Sequence, residues 1–223
     1  MVAFGCRGYL CREHHHPTRI SIYIGMTAKL FIPVILGTNR EGRQTENVAR
    51  YVVAALNKRQ DATTQLIDVR TFVLLDSDYG IRLKDRHAEY RNNIVRADGL
   101  VLVVPEYNHG YPGSLKSVLD ILLEEYHHKA VGMVGVSNGP WGGTRVIESL
   151  LPVVRTLGLV AIKLDLHFPF VQDVFTAKGV LKDKKTYAVR TAQFLDELVW
   201  MAITLRRGRK KAQNIKSIYV SQN

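Results

Sequence analysis

GLVLVVPEYNHGYPGSLKSVLD, residues 99–120, reads as a buried strand, a loop and a helix. Leu100 to Val104 is an unbroken apolar run rich in Val, the composition of a strand covered on both faces of a parallel sheet. Pro105 has no amide hydrogen to give and ends the ladder. The loop from Glu106 to Gly113 is polar, aromatic and punctuated by Gly and Pro. Ser114 is the expected N-cap of a helix in which Leu115, Val118, Leu119 and Leu122 recur at helical spacing. In an open parallel α/β sheet, ligands bind beyond the carboxyl ends of the strands. This loop stands at such a place, and Tyr107, Asn108 and the backbone around them suit a flat, hydrogen-bonding ring.

Outward from this stretch the same unit repeats. Leu30 to Leu36 is the first strand, although Pro33 is awkward in a central one. The loop Gly37 to Thr45 leads into a helix from Glu46 to Lys58 with Val48, Tyr51, Val52 and Ala55 on one face. A strand-to-helix turn of this kind aims backbone amides and a helix N-terminus at an anion. Its spacing imitates a nucleoside-triphosphate loop, but Arg43 stands where that motif needs Lys and Gln44 where it needs the magnesium-binding hydroxyl. A monophosphate needs no magnesium, and Thr38, Arg40, Arg43, Gln44 and Thr45 offer amides, hydroxyls and cations for one. The alternative for this loop is an exposed basic turn.

Thr63 to Val69 alternates as a second strand; residues 70–92 are mixed and charged, forming a rim and a helix near Asp85 to Val95. Ala130 to Val136 is the fourth strand. It runs into Ser137 to Gly143, where Gly139, Gly142 and Gly143 permit close backbone approach to a ligand and Ser137 adds a hydroxyl. A helix from Thr144 to Leu157, capped by Thr144, a fifth strand from Leu159 to Leu164 and a last helix from Asp183 to Leu205 complete the alternation.

Pro105-Glu106-Tyr107-Asn108 followed by Gly113-x-Leu115-Lys116 resembles the isoalloxazine loop of the NADPH-dependent FMN reductases. Gly37-Thr38-x-Arg40-x-Gly42-Arg43 is similar to their FMN-phosphate loop. Gly139-x-x-Gly142-Gly143 with Arg145, Glu148 and Pro152 resembles the same family, and the likeness spans about residues 29–165. It implies an α/β, flavodoxin-like, doubly wound five-stranded parallel sheet in the order 2-1-3-4-5, in which the three loops meet at the switch point. It further implies an FMN-dependent oxidoreductase that takes hydride from NADPH or NADH at flavin N5. The electrons then pass to a quinone, an azo compound, a metal oxyanion or a free flavin. Backbone groups of Tyr107 and Asn108 would meet the ring edge, with His109, Tyr111 and Trp141 on the substrate side. No side chain is assigned an acid–base role, because the cofactor carries the chemistry. A helix terminus supplies only about 0.3–1 kcal/mol toward a phosphate, whereas micromolar binding needs roughly 8 kcal/mol. All three loops are therefore required. The family implies a homodimer or homotetramer.

The 223 residues suffice for one domain, with 46% hydrophobic and 23% charged residues as in ordinary globular chains. The expected organisation is an N-terminal extension over 1–25, an FMN-binding domain over 26–205 and a basic, flexible tail over 206–223. Residues 1–25 lack periodicity; they are either an upstream start before Met26 or a short leader, the first being preferred. His14-His15-His16 is no metal site, since consecutive residues do not share a face. Cys6 and Cys11 are the only cysteines, so no disulfide framework is expected, and a cytoplasmic location fits. The net charge is +11, but six Lys/Arg and no acid fall in 206–223. With the charge at the ends, the tail is read as solvated or as a contact for anionic partners, and nucleic-acid binding is disfavoured. No apolar run reaches the roughly 18 residues of a membrane helix. The rival readings are a flavodoxin-like electron carrier without enzymatic activity, disfavoured by the basic charge, and a flavin-responsive or flavin-free interaction protein.

Overall fold

Alternating side chains along each strand build two cores, one on each face of a single parallel sheet. The computed structural model describes residues 28–74 and 81–220. The extension over 1–25 and its histidines lie outside the described residues.

Strands β1 (Leu30–Phe31) and β2 (Val34–Leu36) are one strand interrupted at Pro33. β3 (Ala62–Thr63) and β4 (Leu66–Asp68) follow the same division. β1 pairs with β3 and β2 with β4, both in parallel. The ladder runs through the interruption, with Ile32 N donating to Thr63 O and Val34 N to Gln65 O, each at 2.9 Å. Pro33 is tolerated because its carbonyl still accepts from Val101 N at 3.0 Å. Only its missing donor breaks the pattern on the side facing β5 (Gly99–Pro105).

β5 pairs along its whole length with β6 (Ala130–Val136), and β6 carries β7 (Val160–Ala161) and β8 (Leu166–Phe168) on its far edge. Counting each interrupted strand once, the sheet has five strands in the order 2-1-3-4-5, as the resemblance implies. The expected fifth strand, Leu159 to Leu164, is corrected: it divides into β7 and β8 with residues 162–165 between them.

On one face Val34, Leu36, Val101, Val103, Val134 and Val136 pack with α1 (Thr45–Asn57) and α7 (Lys184–Val220). On the other, Ile35, Leu100, Leu102, Val104, Val131 and Met133 meet α3 (Ala88–Arg96), α4 (Gly113–Leu119) and α5 (Thr144–Thr156). The period of two in the strands thus serves both faces, which is why β5 reads as a continuous apolar run. α2 (Ile81–Arg86) lies before α3, and α6 (Val171–Val174) follows β8.

Both expected caps are corrected. The N-cap of α4 is Pro112, extended at φ −62° and ψ 139°; Ser114 lies inside the helix, its hydroxyl buried and without a partner. The N-cap of α5 is Gly143 at φ 79°, a left-handed turn that disfavours a side chain, and Thr144 donates instead to Trp141 O at 2.7 Å. The expected stop of the last helix near Leu205 is also corrected. α7 continues to Val220, and two basic residues beyond Leu205 are pinned: Arg206 and Arg209 both bond to Asp98, at 3.2 and 3.1 Å. Gly208 alone does not end a helix, costing only about 1 kcal/mol relative to Ala.

Candidate active site

Three loops leave the carboxyl ends of neighbouring strands β2, β5 and β6. In the first, residues 37–44, Gly37 N holds the turn to Val103 O at 2.9 Å. Thr38 is fully buried; its Oγ1 accepts from Arg40 N at 3.3 Å and lies 2.9 Å from the Tyr107 hydroxyl. Arg43 does not face outward. Its guanidinium donates to Thr38 O, to both Asp68 carboxylate oxygens and, at 3.3 Å, to Glu46. Burial pulls the Arg43 guanidinium down, but Asp68 and Glu46 outweigh it and hold the group above its ordinary value. Burial likewise pushes the Asp68 carboxyl up, and the Arg43 and Arg70 amide bonds bring it below the usual carboxylate range. Arg43 thus pins the loop to the end of β4, and its Nε is buried without a partner among the described residues.

Thr45 is buried as the first residue of α1, and Gln44 is exposed, accepting from Asn47 Nδ2 at 3.1 Å. The amides of Glu46 and Asn47 are taken by the carbonyls of Arg43 and Gln44. Those of Gln44 and Thr45 have no backbone acceptor among the described residues, as expected for a first helical turn. Arg40 is exposed, its guanidinium 5.5 Å from the Tyr107 ring centre. Arg70, which sequence reasoning missed, donates to Arg40 O at 2.7 Å and brings a second cation to this loop. Nothing in the residue pattern around position 70 marks it.

In the second loop Pro105 closes β5 opposite Val136. Tyr107 and Gly110 exchange both backbone hydrogen bonds at 2.9 Å, with Asn108 at φ 50° and His109 at φ 66°. This two-residue hairpin has both central residues left-handed, the pattern of a type I′ turn. The amide and one carbonyl lone pair of Tyr107 are thus committed within the hairpin. The amides of Asn108 and His109 stand at its tip. The Tyr107 side chain instead reaches back to Thr38. Tyr111 is half-buried and packs against the core cluster that holds α4 and α5.

The third loop, residues 137–143, is braced internally. Ser137 Oγ donates to Gly139 O at 2.8 Å, and Ser137 N to Phe168 O at 3.1 Å. A Cβ on Gly143 would lie 2.5 Å from Val136 N, and one on Gly142 would lie 2.8 Å from the His167 Cβ. Both positions are thus closed to a side chain by β6 and β8. Gly139 has nothing within 4 Å of its notional Cβ and keeps that role open. Trp141 is 63% exposed.

Arg145, in the first turn of α5, links the second and third loops. It donates to Glu106 Oε1 at 3.3 Å and to His109 Nε2, and its guanidinium lies 5.8 Å from the Trp141 ring centre. A guanidinium only donates, so His109 Nε2 accepts and a neutral His109 carries its proton on Nδ1. Sequence reasoning quoted Arg145 within a motif without giving it a place in the site. Its signal was its position two residues beyond Gly143.

The groups left over fit FMN. Arg40, Arg70 and the Gln44 and Thr45 amides suit a phosphate. The Asn108 and His109 amides suit the carbonyl edge of a ring. Ser114 Oγ and Glu106 Oε2, near the two ends of the hairpin loop, are buried and unpartnered within the chain.

Comparison with known proteins agrees. The model of the NADPH-dependent FMN reductase family matches residues 31–172. The NAD(P)H-dependent FMN reductase LOT6 of Saccharomyces cerevisiae is 29% identical over 166 residues, covering 64% of this chain and 86% of that one. A 2-hydroxy-1,4-benzoquinone reductase of Burkholderia sp is 32% identical over 127 residues, covering 55% and 68%. Among solved structures, the flavoenzyme NAD(P)H:(acceptor) oxidoreductase FerB of Paracoccus denitrificans superposes with a TM-score of 0.66 at 18% identity, covering 78% of this chain and 98% of that one, a likeness of fold. The motifs that first suggested the family stand on one sheet edge, within the matched residues, and the chain belongs to the NADPH-dependent FMN reductase family.

Proposed function

We propose that this chain is an FMN-dependent NAD(P)H oxidoreductase that reduces a small acceptor: a quinone, an azo compound, a metal oxyanion or a free flavin. The observation that carries the reading is the bond between Thr38 and Tyr107, which joins a phosphate-type loop to a ring-type loop at the carboxyl edge of β2 and β5.

Arg40 and the amides of Gln44 and Thr45 hold the phosphate, and Arg43 keeps their loop in place from below. Asn108 and His109 offer amides to the ring, while Arg145 holds the hairpin through Glu106 and His109. FMN, when bound, would supply the redox chemistry between reduced nicotinamide and the acceptor. Trp141 and Gly139 border the open side of the site.

A homodimer or homotetramer and a cytoplasmic place of action belong to the same reading. Leu115, Val118, Leu119 and Leu122 are buried within the subunit, so from this segment only Leu123, 51% exposed, remains for contact with another copy.

The test is an absorbance spectrum of the purified protein, recorded anaerobically before and after NADPH. Flavin bands that bleach support the reading. Flavin bands that persist with NADPH and with NADH indicate a carrier, and failure to bind supplied FMN overturns the assignment of all three loops. Arg40→Ala should weaken FMN binding about tenfold or more, the scale of a charge-assisted hydrogen bond; unchanged affinity rejects its phosphate role.

A further inference from the structure

α7 has an outer face that the flavin chemistry does not use. Its inner face is buried through Phe194, Leu195, Leu198 and Ala202. On the opposite side, Trp200, Arg207 and Lys211 stand at i, i+7 and i+11, within one narrow stripe of a 3.6-residue helix. Trp200 is 48% exposed, and Arg207, Lys210 and Lys211 are exposed with no acidic partner among the described residues. Over 206–223 there is no Asp or Glu to neutralise them.

The direction of this face is set by its anchors. Arg206 donates to Ala28 O and Lys29 O at 3.3 Å, and Arg209 to His128 O at 2.5 Å; both bond to Asp98. These partners precede β1, β5 and β6. The helix therefore leaves the body at the amino edge of the sheet, opposite the three ligand loops. From Arg209 it continues to Val220, about 16 Å further at 1.5 Å per residue.

We propose that the outer face of the C-terminal part of α7 docks on an anionic lipid surface. Unpaired Arg and Lys supply attraction to acidic headgroups, and an exposed Trp, apolar in body with one N–H, suits the boundary between headgroups and acyl chains. The contact is peripheral: no described helix is long and apolar enough to cross a membrane. Because the anchored end lies at the amino edge, a docked molecule keeps its flavin loops turned toward solvent. Nucleic acid shares the phosphate chemistry, and an unpaired base can stack on Trp200; the oligonucleotide arm of the test separates the two.

The full chain is sedimented with vesicles of phosphatidylcholine alone and of phosphatidylcholine with phosphatidylserine, at low and high salt. Binding only to the acidic vesicles, lost at high salt, is expected. The R207E/K210E/K211E variant should bind more than 100-fold more weakly, given roughly fivefold per cation near such a surface, with its FMN content and NADPH oxidation unchanged. Trp141 and Trp200 are the only tryptophans. In a Trp141→Phe background, the Trp200 emission should move to shorter wavelength on acidic vesicles. Equal binding to neutral vesicles, binding that survives charge reversal, an unshifted Trp200 emission, or tighter binding to a DNA or RNA oligonucleotide than to acidic vesicles would overturn the proposal.

Discussion

The hydroxyls of Thr38 and Tyr107 lie 2.9 Å apart across 69 residues of sequence. The bond ties the loop after β2 to the hairpin after β5, so the two cannot shift independently. Thr38 is fully buried, and removing its partner leaves its hydroxyl with one hydrogen bond fewer. Tyr107→Phe should cost about 0.5–1.5 kcal/mol of stability and weaken FMN binding by a similar increment. Urea unfolding and an FMN titration measure the two effects. A variant that loses neither shows the loops to be held by something else.

The Arg43–Asp68 pair makes the first loop sensitive to acid. The folded Asp68 carboxyl lies below its ordinary value. Its contribution is therefore present above the unfolded carboxylate pKa, near 4, and is lost as pH falls through the lower folded value. Wild-type protein should lose thermal stability below about pH 4 more steeply than Asp68→Asn, which has nothing to titrate there. Parallel Tm–pH curves would remove Asp68 from the account.

Arg145→Ala should loosen the hairpin without unfolding the domain. Glu106 then has no cation, although its Oε2 is already buried and unpaired. The loss of one charge-assisted bond is about 1.5–3 kcal/mol, reduced here because Arg145 is partly exposed. FMN affinity is expected to fall about three- to tenfold, a change of roughly 0.7–1.4 kcal/mol, with Tm lowered by only a few degrees. A large drop in Tm with intact FMN affinity would instead make Arg145 a residue of the core.

Two glycines of one loop should behave oppositely. Gly143→Ala places a Cβ 2.5 Å from Val136 N in a backbone at φ 79°, so a loss of about 2 kcal/mol or more is expected. Gly139→Ala meets nothing within 4 Å and should leave stability nearly unchanged. If it also leaves FMN affinity and turnover unchanged, no ligand approaches Gly139 closely.

Much of this was legible in the residues. β6 and the start of α5 fall where Ala130–Val136 and Thr144 place them, because a buried parallel strand and an amphipathic helix each advertise themselves by period. The strand order followed from the resemblance. The caps were misread because Ser114 and Thr144 have the right chemistry for the position, while Pro112 and Gly143 have the backbone angles. The extent of α7 was misread because charge suggested a solvated tail, whereas Asp98, just before β5, supplies a partner for Arg206 and Arg209.

The sequence by itself determined the parallel α/β class, the three loops and the family, since these depend on local pattern and on motifs contiguous in the chain. Only the tertiary structure decided what each loop residue does. Arg40 and Arg43 have the same charge and lie three residues apart. One is exposed and available to a phosphate, and the other is turned inward to Asp68, 25 residues away in the chain. Tyr107 turned to Thr38 and Arg145 to Glu106 and His109 for the same reason. Which way a long side chain points depends on the partner that satisfies its charge or hydroxyl, and that partner comes from another strand.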